Sequence, residues 1–204
     1  LILAGGLVTS HEAGLAVPDW PQSYGQWMPP MVGNVFWEHG HRMIAGSVGI
    51  MTLVLTLWIQ FTKKCVSIKK LAWAAMGTVI LQALLGGLTV LLLLPPAVSI
   101  FHACLAQTFF CLVVAVAFFL RPDDCSISPP QSGGGIRRGE SPDWLFKLCT
   151  LAFSAAYIQL ILGAIVRHTS KGIVFHVVWA FVVIAFLFWS TRAVMVTVPE
   201  RRGA

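Results

Sequence analysis

The stretch Phe36–Met51, FWEHGHRMIAGSVGIM, sets an acid, two histidines and an arginine side by side at the start of a long apolar run. Charge next to hydrocarbon is costly, so ionisable side chains at the mouth of a membrane helix are functional candidates from the outset. What such a cluster is for depends on what surrounds it.

The surroundings are apolar. Hydrophobic residues make up 57% of the 204-residue chain and charged residues 11%, and the mean hydropathy is +0.79, values outside the range of an ordinary soluble domain. The apolar residues fall into blocks long enough to cross about 30 Å of hydrocarbon at about 1.5 Å per residue. Spans are expected at Ile44–Phe61, Leu71–Leu94, Ala97–Leu120, Trp144–Val166 and Ile173–Thr191. The opening LILAGGLV is too short to cross by itself and reads as the end of a helix that begins earlier. The fold class is an all-α polytopic membrane protein of helical bundles.

Charge gives the orientation. KKCVSIKK (Lys63–Lys70), the connector from Arg121 through Arg137, Arg138 and Lys147, and the tail with Arg192, Arg201 and Arg202 carry most of the basic residues. The alternate connections, Thr9–Trp37, PPAVSI and Arg167–Gly172, carry few, so the positive-inside rule sends them outside and the basic ones to the cytoplasm. The net charge of +6 is thus a topology signal and not a nucleic-acid surface, because no folded basic face gathers it. The Pro-, Gly- and Ser-rich connector at 121–143 reads as a flexible linker between an N-terminal four-helix half, 1–120, and the first two helices of a C-terminal half, 144–204. The five cysteines, 65, 104, 111, 125 and 149, form no CxxC pair and are read as structural or incidental.

All six histidines lie in or beside the outer connections. Three open spans in one local context: HRMIA at His41, HACLA at His102 and HVVWA at His176. In each an alanine, Ala45, Ala106 or Ala180, follows one turn later on the same face, leaving room for a flat macrocycle below the imidazole. QALLGG at Gln82 and QLILGA at Gln159 precede His102 and His176 at similar distances, so the chain carries an internal repeat of helix pairs. Counting back from the basic ends at about 1.5 Å per residue puts the three imidazoles at one level toward the outer leaflet. A lone interfacial histidine is ordinarily an amphipathic anchor. Three at one depth in one context favour axial ligation of haem iron within a bundle.

On a helix Glu38 and His41 share a face, whereas His39 and His41 point in nearly opposite directions. Both histidines cannot serve one iron, and His41, with the acid beside it and the alanine below, is the better ligand candidate. Glu38 reads equally as a proton acceptor at a haem edge and as an acid favoured by a helix N-terminus. Arg42 suits a haem propionate or the interface.

GGLVTSHEAGLAVPDWPQSYGQWMPP followed by EHGHR resembles the first outer loop and second helix of the haem A synthases, and LGGLTV, the histidine of span four and LGAIVRHTSKG are similar too. The resemblance implies an eight-helix protein of two four-helix bundles with a histidine pair in each. It implies His41 and His102 as the pair facing substrate haem O, Glu38 as the essential acid, and His176 as a ligand of haem b in the second half. The implied reaction is oxidation of the haem O C8 methyl to the formyl of haem A. Haem O synthase, cytochrome oxidase assembly factors, bilayer lipid and further copies of the chain are the partners it suggests. Many bacterial members carry two cysteines in the first outer loop. Here the loop has none, which aligns the chain with the cysteine-free type. The basic ending PERRGA lies inside, so two further helices are expected after it, the last opening with a histidine.

Two other readings use the same residues. A b-type cytochrome passing electrons from quinol needs the histidines but not Glu38. A transporter with an outer-face metal site predicts carboxylates or methionine clusters within the spans, and the span interiors hold no acid.

Overall fold

A computed structural model describes residues 1–120 and 143–197. Among these the chain is helical: α1 (Ile2–Ser10), α2 (Asn34–Thr62), α3 (Val66–Leu91), α4 (Pro96–Phe119), α5 (Asp143–Thr169) and α6 (Ile173–Thr197). The last five are long and apolar enough to cross a membrane, and the chain is a multi-pass membrane protein. The connector at 121–142 and the basic tail with Arg201 and Arg202 lie outside the described residues, as does Cys125.

Two compact units divide the chain, Leu1–Ser128 and Pro129–Ala204. In the first, α1 packs on α2, α2 on α3 and α3 most extensively on α4. Small residues make the close approaches, as membrane helices require when lipid removes the hydrophobic drive to associate. Ala72 sits with Ile59, Ile68 and Val116, and Ala75 with Val79 and Phe109. Thr56 Oγ1, fully buried, donates to Thr52 O one turn back (2.8 Å) and reaches Ala72 O across the interface (3.3 Å). In the second unit α5 and α6 form a hairpin around Leu145, Leu148 and Ala193, tied by Trp179 Nε1 donating to Ala155 O at 2.9 Å.

The helix ends follow local chemistry. Pro96 occupies the first turn of α4, where its missing N–H costs nothing. Gly33, φ +58°, turns the chain into α2, a conformation that favours glycine. The largest departure from expectation is the start of α2, at Asn34 rather than Ile44. The polar turns carrying Glu38, His39 and Arg42 are helical because the preceding loop folds over them and supplies their partners. α5 likewise runs on to Thr169, leaving only Ser170–Gly172 as the outer turn before α6.

Candidate functional site

The outer loop, residues 11–33, is built around a few buried groups. Ala13, Val17 and Ser23 are fully enclosed. Asp19 accepts from the backbone N–H of Tyr24 (2.7 Å) and Gly25 (2.8 Å), and these donors, Gly25 first, hold its carboxyl below the usual aspartate range. Tyr24 Oη donates to Ala16 O. His11 stacks on Trp37 with ring centroids 4.0 Å apart, fixing the start of the loop to the start of α2.

The cluster that opened the sequence analysis is the clasp for this loop. Glu38, 4% exposed, accepts from Val17 N at 2.8 Å through Oε2 and pairs with Arg42 through Oε1. Arg42 spends the rest of its guanidinium on the loop, donating to the carbonyls of Asp19 (2.8 Å) and Gln22 (2.9 Å), with Val17 O at 3.4 Å. His39, buried on another face, meets Ser23 Oγ at 2.8 Å through Nδ1. Three polar residues of α2, Glu38, His39 and Arg42, therefore hold one loop, and in this structure Arg42 is committed to loop carbonyls.

The three span-opening histidines share a different construction. Each imidazole lies against a glycine of the neighbouring helix. A methyl group on Gly5 would stand 3.2 Å from Cε1 of His41, one on Gly86 3.1 Å from Cε1 of His102, and one on Gly163 3.1 Å from Cε1 of His176. In all three, Nδ1 is buried without a partner, a situation that costs about 1–3 kcal/mol per group and asks for an explanation. Gln82 Nε2 lies 3.2 Å from Nε2 of His102 and donates to that residue's own carbonyl at 3.0 Å. Gln159 Nε2 lies 3.4 Å from Nε2 of His176. His41 and His102 come from α2 and α4 of one unit.

Of the residues expected from sequence, His41 and His102 belong to one unit, and Glu38 and Arg42 are held together beside the loop. His176 has the same surroundings as His102 within its own hairpin. Ala45, Ala106 and Ala180 are half-buried, like the histidines they follow. The sequence reading used Gln82, Gln159 and the glycines only as markers of a repeat. Their common spacing, Gln-x-x-x-Gly ahead of a span-opening histidine, was the available signal that they form the histidine seats.

The loop reaches the same place. A methyl group on Gly87 would lie 2.6–3.0 Å from the ring atoms of Trp20, so the indole rests on α3 beside the glycine that seats His102. Gly87→Ala should push Trp20 off α3, because the obstructing atoms belong to the body of a rigid ring. Hydrogen exchange of the amides at 17–26 is expected to quicken about tenfold or more in this variant, and unchanged exchange would show that Trp20 does not anchor the loop.

Chemically, the histidine seats fit haem iron. Imidazoles on separate helices, each set edge-on at Cε1 against a facing glycine, have the chemistry of axial ligands. Among the described residues no three His, Cys, Asp or Glu side chains gather as a cage for a bare metal ion would need.

The comparisons with known proteins agree with that chemistry. Residues 31–182 match the COX15-CtaA family, described as cytochrome oxidase assembly protein. The chain is similar to the heme A synthase of Symbiobacterium thermophilum, 29% identical over 82% of this chain and 54% of that protein. It is similar also to the heme A synthase of Lysinibacillus sphaericus, 27% identical over 85% of this chain and 55% of that protein. That of Roseobacter denitrificans is 31% identical over 57% of this chain and 34% of its own length. The chain spans about half the length of the Symbiobacterium and Lysinibacillus relatives. No solved structure matches.

Proposed function

Because the chain belongs to the COX15-CtaA family of cytochrome oxidase assembly proteins, we propose that it is part of a haem A synthase, which oxidises the C8 methyl of haem O to the formyl of haem A. The observation that carries this reading is the pair His41 and His102, from α2 and α4 of one unit, each imidazole set against a glycine of the neighbouring helix. His41 and His102 would hold the substrate haem O in the N-terminal half, and His176 one side of a haem b in the C-terminal half. Arg42 would stabilise the loop over the site rather than reach a propionate. Ala45, Ala106 and Ala180 give the macrocycle room along the helices. Haem O synthase and cytochrome oxidase assembly factors are the proposed partners, supplying haem O and receiving haem A.

Bound haem supplies the oxidising power that no side chain has. The chain's own contribution is to orient and to exclude water. The glycine seats fix the planes of the ligand rings, and the loop 11–33 covers the outer end of the bundle. Glu38 is the proposed proton acceptor, and its carboxylate is engaged on both oxygens. Each of those oxygens accepts one bond and keeps a second lone pair for a proton. The basic connections, Lys63–Lys70 among them, face the cytoplasm in this reading, and the histidines lie toward the opposite face of a bacterial cytoplasmic membrane.

The test is conversion in cells. In a bacterium that makes haem O and lacks its own haem A synthase, the protein carrying this chain should yield haem A on pigment extraction. Glu38→Gln separates the two roles of the acid, because the amide oxygen still accepts from Val17 N–H while the basic oxygen is gone. That variant should retain bound haem and a protected loop yet lower haem A at least about a hundredfold, within the range that positioned acid–base groups contribute. Normal haem A from Glu38→Gln would reduce Glu38 to a clasp. Haem O alone from the unmodified protein would return the chain to the b-type cytochrome reading.

A further inference from the structure

Three features of the histidine seats differ between the members of the pair in the first unit. His102 has a glutamine amide at Nε2 and His41 has none; the residue one turn before Gly86 is Gln82, and the residue one turn before Gly5 is Leu1. The rings are also turned differently. At Gly86 the imidazole presents Nδ1 nearer than Nε2 (3.7 against 4.0 Å), as it does at Gly163, whereas at Gly5 Nε2 is the nearer (3.5 against 3.8 Å). The glutamine arrangement recurs in the second unit, with Gln159 one turn before Gly163 and its amide at Nε2 of His176. Two occurrences at one spacing mark a built feature.

The direction of the hydrogen bond at His102 follows from the geometry. The Gln82 amide group that faces the ring also binds His102 O, and a carbonyl oxygen only accepts, so the facing group is the NH2. Nε2 is therefore the acceptor and the ring proton sits on Nδ1. This is the tautomer in which Nε2 has a lone pair ready for iron and no proton to lose first. The amide thus stands where an axial bond would form, and the two are mutually exclusive.

We propose that Gln82 and Gln159 are positioning residues that hold Nε2 of His102 and His176 in place of iron, so that in the N-terminal site His41 is the lasting ligand and His102 the exchangeable one. This rests on the haem reading above and deepens it. The amide stands at His176 as well, so the device is common to both halves, and in the N-terminal one, whose haem is the substrate, it also serves release. An amide waiting at one ligand lowers the cost of breaking that bond, because the freed nitrogen regains a partner at once. No covalent bond beyond the iron–nitrogen bond is made or broken, and no proton leaves the ring.

The experiment uses the intact purified protein in lipid nanodiscs, with its haem reduced and His176→Ala present so that only the N-terminal site contributes. Carbon monoxide binds ferrous haem only after an axial histidine leaves, so its binding rate reads the open state. Gln82→Leu, which removes the donor at similar size, should slow carbon monoxide binding about fivefold, the factor one ordinary hydrogen bond is worth. Gln82→Met, with a flexible side chain that donates nothing, should do the same. His102→Ala should give carbon monoxide binding that no longer responds to Gln82→Leu. A rate unchanged or raised in both Gln82 variants overturns the proposal, and so does loss of all haem in both, since the amide is argued to oppose the iron bond. Absence of haem from the Gln82-intact protein overturns the proposal together with the haem reading, whereas bound haem with an indifferent Gln82 overturns the proposal alone.

Discussion

Gly86→Val should cost the N-terminal site at least about two orders of magnitude in haem affinity while leaving the helices of that unit assembled. A methyl group at this position already stands 3.1 Å from Cε1 of His102, closer than carbon atoms pack, and a β-branched residue adds a second group that cannot be turned away on a helix. The residue has little slack, because the Gln82 amide also donates to its backbone carbonyl. A small misplacement of a ligand group is enough to cost a factor of a hundred. Titration of the haem-free protein with haem, followed by absorbance, measures the loss. Gly77→Val is the matched control, since nothing lies within 4 Å of a methyl group there. Affinity within a few-fold of the unmodified protein in Gly86→Val would mean that His102 does not bind iron from this seat.

Arg42→Met should release the outer loop. The substitution keeps the bulk of the side chain but strands the Glu38 carboxylate, which is 4% exposed, without its counter-ion. Removing one member of a buried pair costs about 3–5 kcal/mol. The carbonyls of Asp19 and Gln22 lose their donor in the same step. About 3 kcal/mol is two orders of magnitude in an opening equilibrium, and the amide of Val17, bonded to Glu38, is the place to read it by hydrogen exchange. Arg42→Met combined with Glu38→Gln should recover much of the protection, because no unpaired charge is then buried. Protection of Val17 that is the same in Arg42→Met and the unmodified protein would show that the clasp does not hold the loop.

The membrane helices were legible because hydrocarbon thickness imposes a length on them, and the runs that end at Phe61, Leu120 and Val166 differ from the helix ends by a few residues. The start of α2 was not legible. Glu38, His39 and Arg42 look like an interfacial fringe until Val17, Asp19, Gln22 and Ser23 are known to lie over them, and pairings across a long loop leave no periodic trace in sequence. The histidines could be singled out by depth and context. Their seats could not, because whether Gly86 or Gly87 meets His102 depends on the rotation of α3, which hydrophobicity does not fix when the helix is apolar on every side. The alanine one turn after each histidine drew attention in the sequence. In the structure each imidazole also lies against a glycine on the facing helix.

Gly86 and Gly87 are neighbours on α3, one pressed by His102 and the other by Trp20. Successive residues of a helix point roughly 100° apart, so this dipeptide has one side turned to α4 and the other to the loop. Neither side has a Cβ to cushion a movement. A twist or slide of α3 that loosens the imidazole also carries the indole with it, and a push on the indole from the watery side is delivered to the imidazole. The pair works as a cam with two followers: the indole of Trp20 on one side and the imidazole of His102 on the other are geared to a single shaft.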